Sequence, residues 1–500
     1  MKKKGLILAL LPILVLAFSF RIWGINRQLP YLYHPDEPIH EDNIVSIVEN
    51  QPPNVYFFHY PSLFFNIQSL ALNLFLKVSD ITKYPLNPNI QRIVSGNGYT
   101  SSPAIFLFGR MVTLLFSLGL IILIYMTTLL ITKDVKSALF SALLSAVSPV
   151  GIENATLITP DTMVGFFTMA AILSILILLK RGSTKYYLLS GLLVGLATSI
   201  KYNAIVLVPL VAITQFARRG FKGFITDWRF YLSLVFVLIG FFIGTPQMLT
   251  ATGKFIGGIQ IEMEHYSRGH PGAEGNSLFF YLSTLIKQET AAFLFFLISV
   301  FVVFQKKSKD LLIILLFIIL YFVFISIYPV YFQRNLMPLL PPLYVLSAIG
   351  VTAIFNRLGP SFKPLITILA ALLISISLTQ AISVSLGMTT DKKIEARRWI
   401  EKNIPDNSNV IVESYGPWVD PGRIHVQGLE YLIDYDPQWY ISHKVGYLIA
   451  SEESYGRFFN DPHDYSGAIK SYEKIFKSFP IVASFGNRGF TIRIYKVTPE

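Results

Sequence analysis

Apolar stretches of bilayer-spanning length alternate with short charged connections over the first 386 residues. After an opening run that ends near Trp23, they fall at about 105–131, 137–153, 161–179, 186–199, 202–216, 230–249, 278–304, 311–329, 335–355 and 364–386. A bilayer core takes roughly 20 apolar residues of helix, so the pattern predicts about 11 transmembrane helices. The runs 186–199 and 202–216 are separated by little more than Lys201, Tyr202 and Asn203. A long loop, about 25–104, follows the first run. Within it, Ile44, Ile47 and Val48 recur at helical spacing opposite Glu41, Asp42 and Glu49, which predicts an amphipathic interfacial helix over 38–48. A second interfacial helix is expected over 63–78, punctuated by Asn66, Gln68 and Asn73, and the Pro- and Gly-rich stretch 84–103 reads as loop.

The pattern changes near residue 387. Helices over 393–402 and 465–479 alternate with strands over 410–413, 445–450, 481–485 and 491–497. Such alternation predicts a small α/β layer domain with its own core. The chain therefore divides into a membrane domain, 1–386, and an α/β domain, 387–500.

Composition agrees. Only 14% of the 500 residues are charged and 53% are hydrophobic, against about 25% charged in soluble proteins. Cysteine is absent, which excludes disulfides and thiolate metal sites. The net charge of +12 suggests nucleic acid until its distribution is read. Lys133/Lys136, Lys180/Arg181/Lys185, Arg218/Arg219/Lys222, Lys306/Lys307/Lys309 and Arg357/Lys363 all fall on the side of the amino terminus. That is the positive-inside pattern. It points away from nucleic acid and toward a multi-pass protein of the plasma (inner) membrane, with a cytoplasmic amino terminus and an extracytoplasmic α/β domain. The opening run lacks a small-x-small cleavage site, so it reads as a retained helix rather than a signal peptide.

Chemistry concentrates in Tyr33-His34-Pro35-Asp36-Glu37-Pro38, at the head of the long loop. Pro38 suits a first helical turn, and one carboxylate there could serve simply as a cap; capping does not account for both, nor for His34. Asp161, in Thr159-Pro160-Asp161, opens another helix on the same side, and it too could be a cap. The cations expected on that side are few: Arg110, Lys201, Arg268 and Arg334, with Lys287 near Glu289 in an apolar stretch. Singly, each could snorkel to the interface. Together, cations facing carboxylates at one membrane surface fit an anionic lipid head group. Asp36, Glu37, Asp161 and His34 are not a metal signature; a divalent cation among them is kept as an alternative, with no other cofactor expected.

These motifs resemble the GT-C superfamily of membrane glycosyltransferases that use polyprenyl-phosphate sugar donors, above all the protein O-mannosyltransferases and lipid A aminoarabinose transferases. The resemblance rests on an ordered series: HPDEP at 34–38, HYPSL at 59–63, FGR at 108–110, TPD at 159–161, TSIKYN at 198–203, EHYSRGHPG at 264–272, SLFFYL at 277–282 and QRNLMPLLPP at 333–342. It implies that Asp36 is the catalytic base with Glu37 its neighbour, and that Asp161 is a second acidic site residue. It implies that Lys201 and Arg268 meet the lipid phosphate and that Arg334 faces the same cavity. His34, His59, Tyr60, Tyr202 and His265 join them as candidate substrate-binding residues; His59 stands where aminoarabinose relatives often carry lysine. The implied activity is inverting transfer of a monosaccharide from a polyprenyl-phosphate carrier to a hydroxyl on a lipid, glycan or protein at the outer face. A transporter or lipid flippase is the alternative, but no internal repeat is visible and the candidate charges gather at one face rather than the midplane. Trp418, Trp439 and Tyr440 are expected to pack the α/β domain onto the membrane domain, with sugar stacking the other reading.

Overall fold

The apolar runs fold as helices, broken where proline, glycine or a buried charge intervenes. A computed structural model describes residues 3–31, 34–49, 58–82, 93–95, 98–100, 103–389, 392–486 and 490–498. Helix α1 (Lys3–Trp23) leads through a turn to α2 (Asp36–Val48) and α3 (Leu63–Thr82). Most of the expected loop 84–103 lies outside the described residues, but β1 (Ile93–Ser95) and β2 (Gly98–Thr100) within it pair as an antiparallel hairpin. Next come α4 (Pro103–Thr132), α5 (Val135–Ala146), the short α6 (Pro149–Asn154), α7 (Asp161–Arg181) and α8 (Thr184–Ile200). A 3-10 turn, Tyr202–Val206, enters α9 (Leu207–Thr226), followed by α10 (Trp228–Gly244) and α11 (Gln247–Thr250). The remainder is α12 (Thr252–Arg268), α13 (Ser277–Gln288), α14 (Thr290–Lys306), α15 (Lys309–Ser326), α16 (Leu340–Arg357) and α17 (Lys363–Gly387).

By length and composition, five of the described helices are apolar enough to cross a membrane, or six if α13 and α14 form one span. The expected count of about 11 is therefore not established. Three local expectations are corrected. The run 278–304 is two helices meeting at 110°, broken at Gln288–Glu289. Glu289 sits at that break. Its carboxylate is buried, accepting from Ser148 Oγ at 2.6 Å and Tyr344 Oη at 3.0 Å. The run 137–153 also breaks, between α5 and α6. There the buried Arg21 guanidinium donates to the Ser145 and Ala146 carbonyls at 3.1 and 3.0 Å. Backbone groups freed at membrane depth need such internal partners. Finally, α2 is only partly amphipathic: of its expected polar face Glu41 is buried, together with Glu37, His40 and Asn43, whereas Asp42 is half-buried and Glu49 is exposed.

Close helix packing positions the site. Without a hydrophobic drive between helices in lipid, small residues let backbones approach. A Cβ on Gly195 would lie 2.1 Å from the Val237 carbonyl oxygen, so glycine is required where α8 crosses α10. That contact fixes the end of α8, and with it Lys201.

The C-terminal part is an α/β unit. After α18 (Lys392–Asn403) come β3 (Asn409–Glu413), β4 (His425–Leu429), α19 (Pro437–Ser442), β5 (Tyr447–Ser451), α20 (Glu452–Phe459), α21 (Ser466–Ser478), β6 (Ile481–Phe485) and β7 (Ile492–Lys496). The sheet order is β4-β3-β5-β7-β6, parallel across β4, β3 and β5 and antiparallel beyond. Alternate strand residues face opposite sides. Val410, Val412 and Ile494 pack with Ala396 and Ile400 of α18; Ile411 and Tyr495 pack with Tyr455, Tyr472 and Ile475 of α20 and α21. Of the three aromatics expected to dock on the membrane part, Trp418 does so, its ring 4.8 Å from that of Tyr31. Trp439 and Tyr440 instead pack within the unit, Trp439 stacked 3.8 Å from Tyr435.

Candidate active site

Helix beginnings and breaks supply the site. Pro35 precedes α2 without a side-chain cap, and the backbone N–H of Asp36 donates to His34 Nδ1 at 3.2 Å. The histidine ring thus takes the capping role, and the Asp36 carboxylate turns to Arg334, which donates from Nη1 at 2.5 Å. Arg334 sits in the 3-10 turn Gln333–Leu336 before α16, its guanidinium 4.8 Å over the Phe332 ring. Burial favours protonation of Asp36, but Arg334, His40 and His34 outweigh it and hold the carboxyl well below the usual range. Burial also pushes His34 down to about 4 and lowers His40, so both rings are neutral near pH 7.

Glu37 faces the other way. It is fully buried, accepting from Arg110 Nε at 2.9 Å and Nη2 at 2.7 Å and from the Ile158 N–H at 2.9 Å. Arg110 also donates to the Ile25 and Arg27 carbonyls, each at 2.9 Å. This bidentate pair ties the first turn, α2, α4 and the entry to α7 into one support behind Asp36.

A second ion pair lies across the site. Asp161 is the first residue of α7 and Lys201 ends α8; their contact is 2.8 Å and nearly solvent-free. Lys201 Nζ also donates to Asn335 Oδ1 at 3.3 Å and lies 5.6 Å over the Tyr60 ring. Tyr60 stands between the pairs, in the fields of Arg334, Asp36 and Asp161. Among the described residues, Asp161 Oδ2 is buried with no hydrogen-bond partner.

Beside these groups opens a cavity of about 460 Å³. Its long wall is apolar, with Val237, Leu238, Phe241, Phe255 and Ile259; its inner end is polar, with Tyr60, Lys201, Tyr266 and Asn335. His59 and Tyr202 also line it. His59 Nδ1 is 3.5 Å from Glu262, and Tyr202 Oη donates to the Phe58 carbonyl at 3.1 Å. His265 lies face to face with Phe332 at 6.2 Å. Arg268, at the end of α12, is not drawn in: its side chain is 78% exposed and pairs with Glu264.

The fold thus gathers Asp36, Arg334, Asp161, Lys201, Tyr60, His34, His59, Tyr202 and His265, sets Glu37 behind them, and leaves Arg268 outside. The sequence reading overlooked Tyr266, Asn335 and Glu262. The first two adjoin His265 and Arg334 within quoted motifs, so adjacency was the available signal. Glu262 had none, because it lies outside every quoted motif and between the apolar runs 230–249 and 278–304. No group of three or more His, Asp or Glu among the described residues is arranged to hold a metal ion.

Residues 106–243, which include Arg110, Asp161 and Lys201, match the family model described as dolichyl-phosphate-mannose-protein mannosyltransferase. No curated protein matches the chain by sequence. Among solved structures, the oligosaccharyltransferase AglB of Archaeoglobus fulgidus, in complex with an inhibitory peptide and a dolichol-phosphate, superposes with a TM-score of 0.57 at 13% identity, over 99% of this chain and 74% of that one. ArnT of Cupriavidus metallidurans superposes in its apo state with a TM-score of 0.55 at 13% identity, and bound to undecaprenyl phosphate with 0.55 at 14%; each covers 99% of this chain and 98% of that one. The fold is that of the GT-C membrane glycosyltransferases, and the resemblance read from the motifs is borne out. Together the match and the fold support a glycosyltransferase.

Proposed function

We propose that this protein is an inverting glycosyltransferase that moves a monosaccharide from a polyprenyl-phosphate carrier to a hydroxyl acceptor at the outer face of the plasma membrane. The observation that carries the reading is the cavity with one apolar wall and an inner end formed by Lys201, Tyr60 and Asn335, beside the Asp36–Arg334 pair. An isoprenoid chain suits the apolar wall, and a phosphate with its sugar suits the polar end.

In the proposed reaction the acceptor oxygen attacks the anomeric carbon as Asp36 takes its proton, and the bond to the phosphate oxygen breaks with both electrons leaving on the phosphate. Lys201 and Arg334 stabilise that negative charge, as preorganised cations do in a site shielded from water. Asp161 orients Lys201, and its second oxygen is available to a sugar hydroxyl. Arg268 reaches the phosphate only if its exposed side chain turns inward from Glu264. Glu37 supports α2 through Arg110 rather than reacting. With Asp36 and Asp161 engaged by Arg334 and Lys201, no step is routed through a metal.

The test is release or transfer of sugar from a panel of radiolabelled polyprenyl-phosphate donors by purified protein in detergent, with and without chelator. Sugar transfer or slow donor hydrolysis is expected. Intact donor crossing liposomes with no sugar released from any donor would favour transport instead.

A further inference from the structure

Away from the active site, in the C-terminal unit, a groove of about 690 Å³ runs between α20, α21 and β7. That volume is inside the roughly 300–1,000 Å³ range of small-ligand sites. Its walls follow from helix periodicity. Glu452, Tyr455, Gly456 and Phe459 recur at i, i+3, i+4 and i+7 along α20, and Phe476 faces them from α21. Arg493 of β7 forms the floor, its guanidinium 5.3 Å over the Tyr455 ring and 5.7 Å over the Phe476 ring.

Two polar atoms in this groove lack what buried polar atoms ordinarily have. Among the described residues, the Tyr455 hydroxyl and Glu452 Oε2 are shielded from solvent and make no hydrogen bond. Leaving such a group unpaired is costly, so a ligand supplying both a donor and an acceptor would recover that cost. Ion pairs close the rims: Lys393 with Glu453 at 2.8 Å and Lys477 with Glu473 at 3.2 Å. The flanking charges are therefore matched and do not select a strongly charged ligand. Phe459 is 37% exposed, and Gly456 leaves the wall between it and Glu452 open.

From this juxtaposition of aromatic faces, an unpaired carboxylate oxygen, an unpaired phenol and a guanidinium floor, we infer that the groove is a second saccharide-binding site. A pyranose ring offers an apolar face to the aromatics. Its hydroxyls donate to Glu452 and Tyr455 and accept from Arg493. Arg457, on another side of the same helix, meets the membrane part, its Nη1 3.4 Å from His270 Nε2. A saccharide held here would belong to the acceptor; this last step rests on the proposed transferase reading, whereas the binding does not.

Saturation-transfer NMR on the full-length protein in detergent tests it, with methyl α-mannoside, mannobiose and chitobiose as probes and a neutral hexapeptide as comparison. Wild type should saturate ring protons of at least one saccharide. The double variant Tyr455→Phe/Glu452→Gln should lose at least tenfold of that signal. Gly456→Gln fills the groove from a position whose added Cβ meets only its own helix neighbour Glu452 at 3.0 Å, and it should lose the signal as well. Donor hydrolysis without acceptor should stay at the wild-type rate in both variants, which separates this site from the catalytic one. Saccharide signals equal in wild type and both variants, no saccharide signal at all, or signal from the hexapeptide alone would each overturn the inference.

Discussion

Arg334 holds Asp36 across 298 residues of chain, with Nη1 2.5 Å from the carboxylate. A carboxylate so paired binds a proton weakly. Because burial alone would strengthen proton binding, the arginine is what keeps Asp36 ionised. Phosphate binding at Arg334 would loosen that hold at the moment a base is needed.

This relationship has a pH signature. In kcat/KM, which reports the free enzyme, the acid limb attributable to Asp36 should lie below the ordinary aspartate value of about 4. Arg334→Gln removes the largest influence opposing burial and leaves only His40 and His34 against it, so that limb should move upward by at least about one pH unit, since removing a close opposite charge typically shifts a pKa by 1–3. An unmoved limb in the variant would show that Arg334 does not set the protonation of Asp36.

The Glu37–Arg110 pair should behave as structure. Removing one partner of a buried pair leaves an uncompensated charge and typically costs about 3–5 kcal/mol. Arg110→Met should therefore lower the melting temperature in detergent sharply, and Glu37→Gln/Arg110→Met should recover part of the loss. Glu37→Gln melting like wild type while losing turnover would instead make Glu37 a reacting group.

Arg268 should behave oppositely. Its exposed side chain contributes little to stability, since surface substitutions usually stay within about 0.5 kcal/mol. Arg268→Ala should melt as wild type yet show a raised KM for donor with that for acceptor unchanged. Unaltered donor KM would leave it a surface residue.

Much of this site was legible from helix starts. Pro35-Asp36 and Pro160-Asp161 announce α2 and α7, and the break at Lys201 announces the end of α8. Pairing was not legible: nothing local joins residue 36 to 334, or 161 to 201. Helix α12 was hidden because Gly253, Gly257 and Gly258 lower helix propensity and its charges lack an apolar run. The bend at Gln288–Glu289 was hidden by continuous apolarity on both sides, and Glu289 signalled it only through a partner, Tyr344, far along the chain. In α2, periodicity marked Glu41, Asp42 and Glu49 as a polar face but could not tell that Glu37 and His40 are buried against Arg110 and the Ile158 carbonyl.

The α/β unit carries its own titration. Burial raises Glu413 from its ordinary 4.5 to about 7, although the Tyr472 hydroxyl and the Ser451 and Leu432 N–H groups pull the other way. The folded state thus holds that proton more tightly than the unfolded one. Its contribution, up to about 3 kcal/mol at 1.36 kcal/mol per unit, is full below pH 4.5 and lost as pH rises through about 7. Wild type should lose melting temperature between pH 5 and 8 more steeply than Glu413→Gln; parallel curves would contradict the assignment.

The most direct test of the central claim measures donor binding and sugar transfer side by side, on wild type and Asp36→Asn in one detergent preparation. Losing the base should cut turnover by roughly 10²–10⁴-fold, while donor binding is retained or tightened, because Arg334 is then released to the phosphate. Wild-type turnover by Asp36→Asn, with donor bound normally, would remove Asp36 as the base and the proposed mechanism with it.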